Sequence, residues 1–125
     1  MAEVEAIVQD LEERRLDALY RRDLEALREL YASEGLYELE VELTLPEIEF
    51  KEPPGDLRVD VLRLIKDEPQ CLAAETHVDA SAVAHNVTPT RFTLVLQPVR
   101  GGWGFAYAGT GWLCEGPNPM DEPSQ

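Results

Sequence analysis

The sequence predicts an α+β fold, with two N-terminal helices packed on one face of a strongly curved antiparallel sheet. Three observations predict it. Apolar residues recur at helical spacing over the first quarter of the chain. From Tyr37 the apolar period falls to two. The later apolar runs are separated by short turn-forming stretches, the mark of consecutive hairpins, so helices come first and strands follow.

Residues 3–21 read as the first helix, because Val4, Ile7, Val8, Leu11, Ala18 and Leu19 form one apolar stripe. Asp23 reads as the N-cap of a second helix with Leu24, Leu27, Leu30 and Tyr31 on its buried face. Gly35 is a suitable helix stop. Tyr37, Leu39, Val41, Leu43 and Leu45 alternate with Glu38, Glu40, Glu42 and Thr44, which predicts a strand with one dry and one wet face. Pro46 interrupts it with a turn or bulge, and Lys51–Asp56 reads as a loop. Further strands are predicted at Arg58–Lys66, Cys71–Asp79, Arg91–Val99 and Trp103–Gly109. Asp67–Gln70 and Arg100–Gly102 are turns, and Ala80–Asn86 could prolong the preceding strand past a bend. A sheet coiled around a helix leaves a cone-shaped cavity, a common place for small apolar ligands.

The 125 residues suit one domain, 1–115, followed by a Pro-, Asn-, Asp- and Ser-containing tail, 116–125, expected to be disordered. The net charge of −14 is uneven: residues 34–56 carry eight acids and one base. Such a chain repels nucleic acid and anionic membranes and attracts basic partners. Cys71 and Cys114 lie far apart without a CxxC pattern, so neither a zinc site nor a disulfide framework is predicted. With no signal-peptide pattern and no long apolar run, the expected location is cytoplasmic.

The segment Ala18–Ala32, ALYRRDLEALRELYA, resembles the helix, turn and Asp-Leu-x-x-Leu-x-x-Leu, aromatic, Ala signature of the NTF2-like superfamily. That superfamily, of cystatin-like fold, includes ketosteroid isomerases, limonene-epoxide hydrolases and SnoaL-like polyketide cyclases. The Arg91–Gly109 hairpin with Gly102-Trp103 is also similar. The resemblance covers residues 3–113 as a layout and implies a fold more than a function. The enzymes' third helix has no counterpart in Glu47–Asp56, which holds two prolines and a glycine. Where the isomerases place a tyrosine, this chain has Arg15. Their first catalytic carboxylate falls at Leu39, with Glu38 and Glu40 beside it, and their second near Thr90–Phe92. Isomerase chemistry is therefore not implied.

Arg15 interrupts an apolar stripe. Such an arginine either binds a carboxylate or an oxyanion in a cavity, or packs its stem and pairs with a glutamate. Arg15, Tyr31, Phe92, Leu94 and Tyr107 are the expected ligand-binding residues. Glu75, His77 and Asp79 alternate on one strand and could act as an acid–base set, against the plainer reading of a solvated face. The row Glu38, Glu40, Glu42 is either a solvated sheet face or a dock for a basic partner. Small residues at Ala106, Ala108 and Thr110 alternate with Trp103, Phe105 and Tyr107, so one side could line a cavity and the other an interface, or both could be plain core packing. The apolar residues on both faces of the last hairpin predict a sheet-mediated homodimer. No metal and no cofactor is predicted. The functional expectation is a SnoaL-like domain that binds a small apolar or carboxylate-bearing molecule. The alternatives are a hydrolase or isomerase of the same fold, or an acidic protein-interaction module.

Overall fold

A computed structural model describes residues 2–51, 57–85 and 89–121 of the chain. Helix α1 spans Ala2–Arg21, with Glu3 and Glu5 in its first turn and Arg21 in its last, each favourable to the helix dipole. Val4, Val8, Leu11, Leu16, Ala18 and Leu19 are buried along one side. The helix ends where Arg22 takes a left-handed conformation (φ +56°). Arg22 N–H bonds to Leu19 O and Asp23 N–H to Ala18 O, a Schellman closure that satisfies two terminal carbonyls. Asp23 then caps α2 (Leu24–Arg28), its carboxylate accepting from Ala26 N–H at 3.1 Å. Leu27, Leu30 and Tyr31 are buried as expected, while Leu24 is exposed.

The predicted strand at Tyr37–Leu45 is instead helical. Helix α3 covers Glu34–Leu39 and continues as a π-helical turn, Glu40–Thr44, closed by Leu45 N–H to Glu40 O at 2.9 Å. Tyr37, Val41 and Leu45 satisfy a period of two, but they also lie at i, i+4 and i+8. Together with Leu36 and Ile48 they pack on the core, whereas Leu39 and Leu43 point out to solvent. Buried Ser33 settles the ambiguity by capping Leu36 N–H at 3.1 Å. Gly35 is accordingly not a helix stop. It lies inside α3, where an added Cβ would stand 1.6 Å from Met120 O. A third helix is thus present, and Pro46 lies in the turn that follows.

Four strands follow as an antiparallel meander in the order β1-β2-β3-β4: β1 Arg58–Glu68, β2 Cys71–Asp79, β3 Thr90–Val99 and β4 Gly102–Ala108. Strand β1 runs two residues beyond its expected end. Residues 81–83 form a turn that does not prolong β2, and Ala84 bridges to Phe50. Residues 52–56 of the expected loop and Asn86 lie outside the described residues.

The inner face of the sheet presents Leu72, Ala74, Thr76, Val78, Leu94, Leu96 and Phe105. With α1 and the flanks of α2 and α3 they make the main core. Thr76, fully buried, donates its hydroxyl to Phe92 O at 3.2 Å. The free edge of β4 is covered at Phe105, which exchanges backbone hydrogen bonds with Leu30 and Ala32.

The outer face carries a second, smaller core of Cys71, Ala73, Val95 and Ala106 under Trp112. Contrary to expectation, Cys71 and Cys114 form a disulfide across 43 residues. Odd-numbered Cys71 faces outward on β2, and the chain returns over that face after β4; neither feature shows in local cysteine spacing. The segment beyond residue 116 is likewise not free. Asn118 donates to Ala106 O at 2.8 Å, Pro119–Asp121 forms a 3-10 turn, and the Asp121 carboxylate accepts from Ser33 Oγ and Gly35 N–H, both at 2.8 Å. Residues 122–125 lie outside the described part. The apolar outer surface that suggested a sheet-mediated dimer is thus covered in part by the chain's own C-terminal segment.

Candidate functional site

Helix α1 presents Glu12 and Arg15 one turn apart on its sheet-facing side, the π-helical turn presents Glu40, and the chain after α2 presents Tyr31. These four side chains meet. Arg15 Nε donates to Glu12 Oε1 at 2.8 Å, and its Nη1 donates to Glu40 Oε1. Tyr31 lines the same cavity as Glu40, whose carboxylate acts on its hydroxyl. Glu12 is only 2% exposed, an unusual position for a carboxylate unless it is paired. Burial alone would lower the Arg15 pKa. The carboxylates of Glu12 and Glu40 outweigh that, so the guanidinium is held firmly charged. Burial pushes the Tyr31 phenol well above its ordinary range and Glu40 pushes it further, while Arg15 opposes; the hydroxyl stays protonated.

A cavity of about 150 Å³ opens above this cluster, bounded also by Leu36, Phe92, Leu94, Phe105 and Ala108. A neighbouring cavity of about 230 Å³ shares Glu12, Arg15 and Phe92 with it and extends toward Thr44, Ile48 and Val78. The guanidinium and the Phe92 ring therefore stand at the boundary of two chambers. A larger cleft of about 430 Å³ lies between α1 and α2, but solvated charges such as Asp10, Glu13, Arg14 and Asp17 line it. It offers no convergent polar cluster in an apolar surround.

Of the expected ligand-binding residues, Arg15, Tyr31, Phe92 and Leu94 line one cavity. Tyr107 does not. A bulge between Val95 and Leu96 of the β3–β4 register pairs Val95 with Tyr107 and Leu96 with Phe105. Phe105 therefore turns inward while Tyr107 joins Trp112 on the outer face, ring centroids 5.9 Å apart. The acidic row is also broken up. Glu40 points into the cavity, while Glu38 and Glu42 share an exposed face of α3 and its continuation.

Glu75, His77 and Asp79 share the outer face of β2, but no site forms around them. Glu75 pairs with Arg91, whose Nε lies at 2.9 Å, and with Arg63 at 3.9 Å. The Asp79 carboxylate turns to Ser81, accepting from its hydroxyl and backbone N–H, which together hold its pKa below the usual value. Among the described residues, no three His, Cys, Asp or Glu side chains converge as metal ligands would. No described helix is long and apolar enough to cross a membrane.

Sequence reasoning missed Glu12 as a site residue, and named Glu40 only within the acidic row and beside Leu39, not as a partner of Arg15 in the cavity. Glu12 had a usable signal: it sits three residues before Arg15 and breaks the same apolar stripe, and two opposite charges at i, i+3 on a buried face imply a pair. Glu40 had none while its segment read as a strand. Comparison of the chain with models of protein families, with curated proteins and with solved structures returns no match.

Proposed function

We propose that the chain is a SnoaL-like domain of the NTF2-like superfamily and holds a small, largely apolar molecule in a cone between its helices and its sheet. One observation carries this reading. A Glu–Arg–Glu–Tyr cluster lies at the base of an aromatic-lined cavity, where hydrocarbon would pack more cheaply. Polar groups retained at such a place fix the orientation of something else. The element order and the Ala18–Ala32 segment support the family assignment. The cavity volume suits a ligand of benzyl size, since an apolar cavity of ~150 Å³ accommodates benzene.

The test is saturable binding of benzyl alcohol, read from backbone amide shifts at Phe92, Leu94 and Ala108, together with the Ala108→Phe variant. Ala108 sits at the cavity mouth and is exposed, so the larger ring blocks entry at small cost to folding. Binding that disappears in Ala108→Phe, with the melting temperature kept, supports the reading. Absence of binding at millimolar probe, or binding indifferent to Ala108→Phe, refutes it.

The same cluster favours a second reading, a hydrolase or isomerase of this fold. Two carboxylates bridged by one guanidinium beside a phenol can take and return a proton within an apolar chamber. Glu40→Gln would then abolish turnover while leaving ligand affinity within a few fold. The Cys71–Cys114 disulfide favours an oxidising compartment over the cytoplasm.

A further inference from the structure

We propose that the cavity selects ligands bearing a cationic amine on a compact apolar body and rejects carboxylates. The proposal rests on the ligand-binding reading above and adds the sign of the charge that is recognised. Arg15 alone points the other way, toward an anionic ligand, but its partners decide the matter. Glu12 and Glu40 each contribute a negative charge, Arg15 one positive charge, and Tyr31 stays neutral, so the cluster is net negative. Arg15 already directs Nε to Glu12 and Nη1 to Glu40. A ligand carboxylate would be the third around one guanidinium, against two like charges in a half-enclosed site, or would have to displace a glutamate and leave it buried without its partner; either is expensive. The chain's net charge of −14 adds a repulsive field for anions.

An ammonium group meets the opposite conditions. It can share Glu40 with Arg15 and neutralise the excess charge in a half-enclosed site, where opposite charges at 4–6 Å interact strongly. Tyr31, Phe92 and Phe105 line the same cavity, and their rings suit both the apolar body and a cation near an aromatic ring. Glu12 is the less available carboxylate, being almost fully buried against Arg15, whereas Glu40 retains 12% side-chain exposure. Glu40 is therefore the group that would receive the amine.

The experiment compares three probes of nearly equal shape: benzylamine, benzyl alcohol and benzoate. Titrations at 0.15 M salt screen diffuse attraction to the acidic surface. Amide shifts at Phe92, Leu94 and Ala108 locate the binding. The expected result is benzylamine at least tenfold tighter than benzyl alcohol, and no saturable benzoate binding. Glu40→Gln brings amine and alcohol within about threefold of each other, and Ala108→Phe removes both from the cavity without altering its charge. Benzoate binding as tight as benzylamine, or an amine preference unchanged in Glu40→Gln, overturns the charge assignment while leaving the cavity reading intact. Amine shifts confined to the outer surface overturn it as well. Failure of all three probes overturns the cavity reading and this inference together.

Discussion

Replacing Cys71 and Cys114 by alanine together should lower the melting temperature by roughly 15 °C. The disulfide closes a loop over 43 residues of separation. Its loss returns chain entropy to the unfolded state worth about 4 kcal/mol at 25 °C. For a 125-residue chain, with about 2.1 cal/mol/K of unfolding entropy per residue, that energy corresponds to about 15 °C. The native state should loosen locally too. Cys114 anchors the turn that places Trp112 over Ala73, Val95 and Ala106. The assay is paired calorimetry of the oxidised wild type and the double variant, with thiol titration of the native wild type. A drop under 5 °C, or two free thiols in protein purified under oxidising conditions, would refute the reasoning.

Arg22→Gly should raise stability by about 1 kcal/mol, because Arg22 holds a left-handed conformation that glycine adopts without strain; a denaturant midpoint that falls contradicts this. Gly35→Ala and Asp121→Ala should each cost about 1–2 kcal/mol, and their double variant little more than either, since both release the Asp121 carboxylate from the start of α3. Additive losses would mean that the two residues act separately. Arg15→Met should destabilise by about 3 kcal/mol by stranding Glu12 and Glu40, and the triple variant with Glu12→Leu and Glu40→Leu should recover most of that; chemical denaturation decides. The raised pKa of Tyr31 makes its stabilising contribution complete below the ordinary tyrosine value of 10 and progressively lost above it, because the unfolded chain ionises first. The fall in melting temperature between pH 10 and 11.5 should therefore be shallower in Tyr31→Phe than in wild type; equal slopes would count against the burial of this phenol.

The parts of the fold that were legible are those where pattern and burial agree locally. Helix α1, the Asp23 cap and the strand β2 fall where the apolar periods put them, because each has one dry face and unambiguous ends. What was not legible depends on residues distant in sequence. Tyr37–Leu45 fits both periods, and part of the capping that makes it helical comes from Asp121, 86 residues after Gly35. The disulfide depends on the chain returning over the outer face after β4. The candidate site shows the same division. Arg15 could be found because a charge broke an apolar stripe, and Tyr31, Phe92 and Leu94 because they lie on the apolar faces of their elements. Tyr107 went astray because a bulge reverses its side, and Glu40 because its helix was read as a strand. That last error changes the chemistry. Without Glu40 in the cavity, Arg15 and Glu12 make a neutral pair; with it, two carboxylates flank one guanidinium and the site's surplus charge is negative. The sign of the preferred ligand thus turns on whether residues 34–44 form a helix, so Glu40→Gln tests the local fold and the proposed selectivity in one experiment.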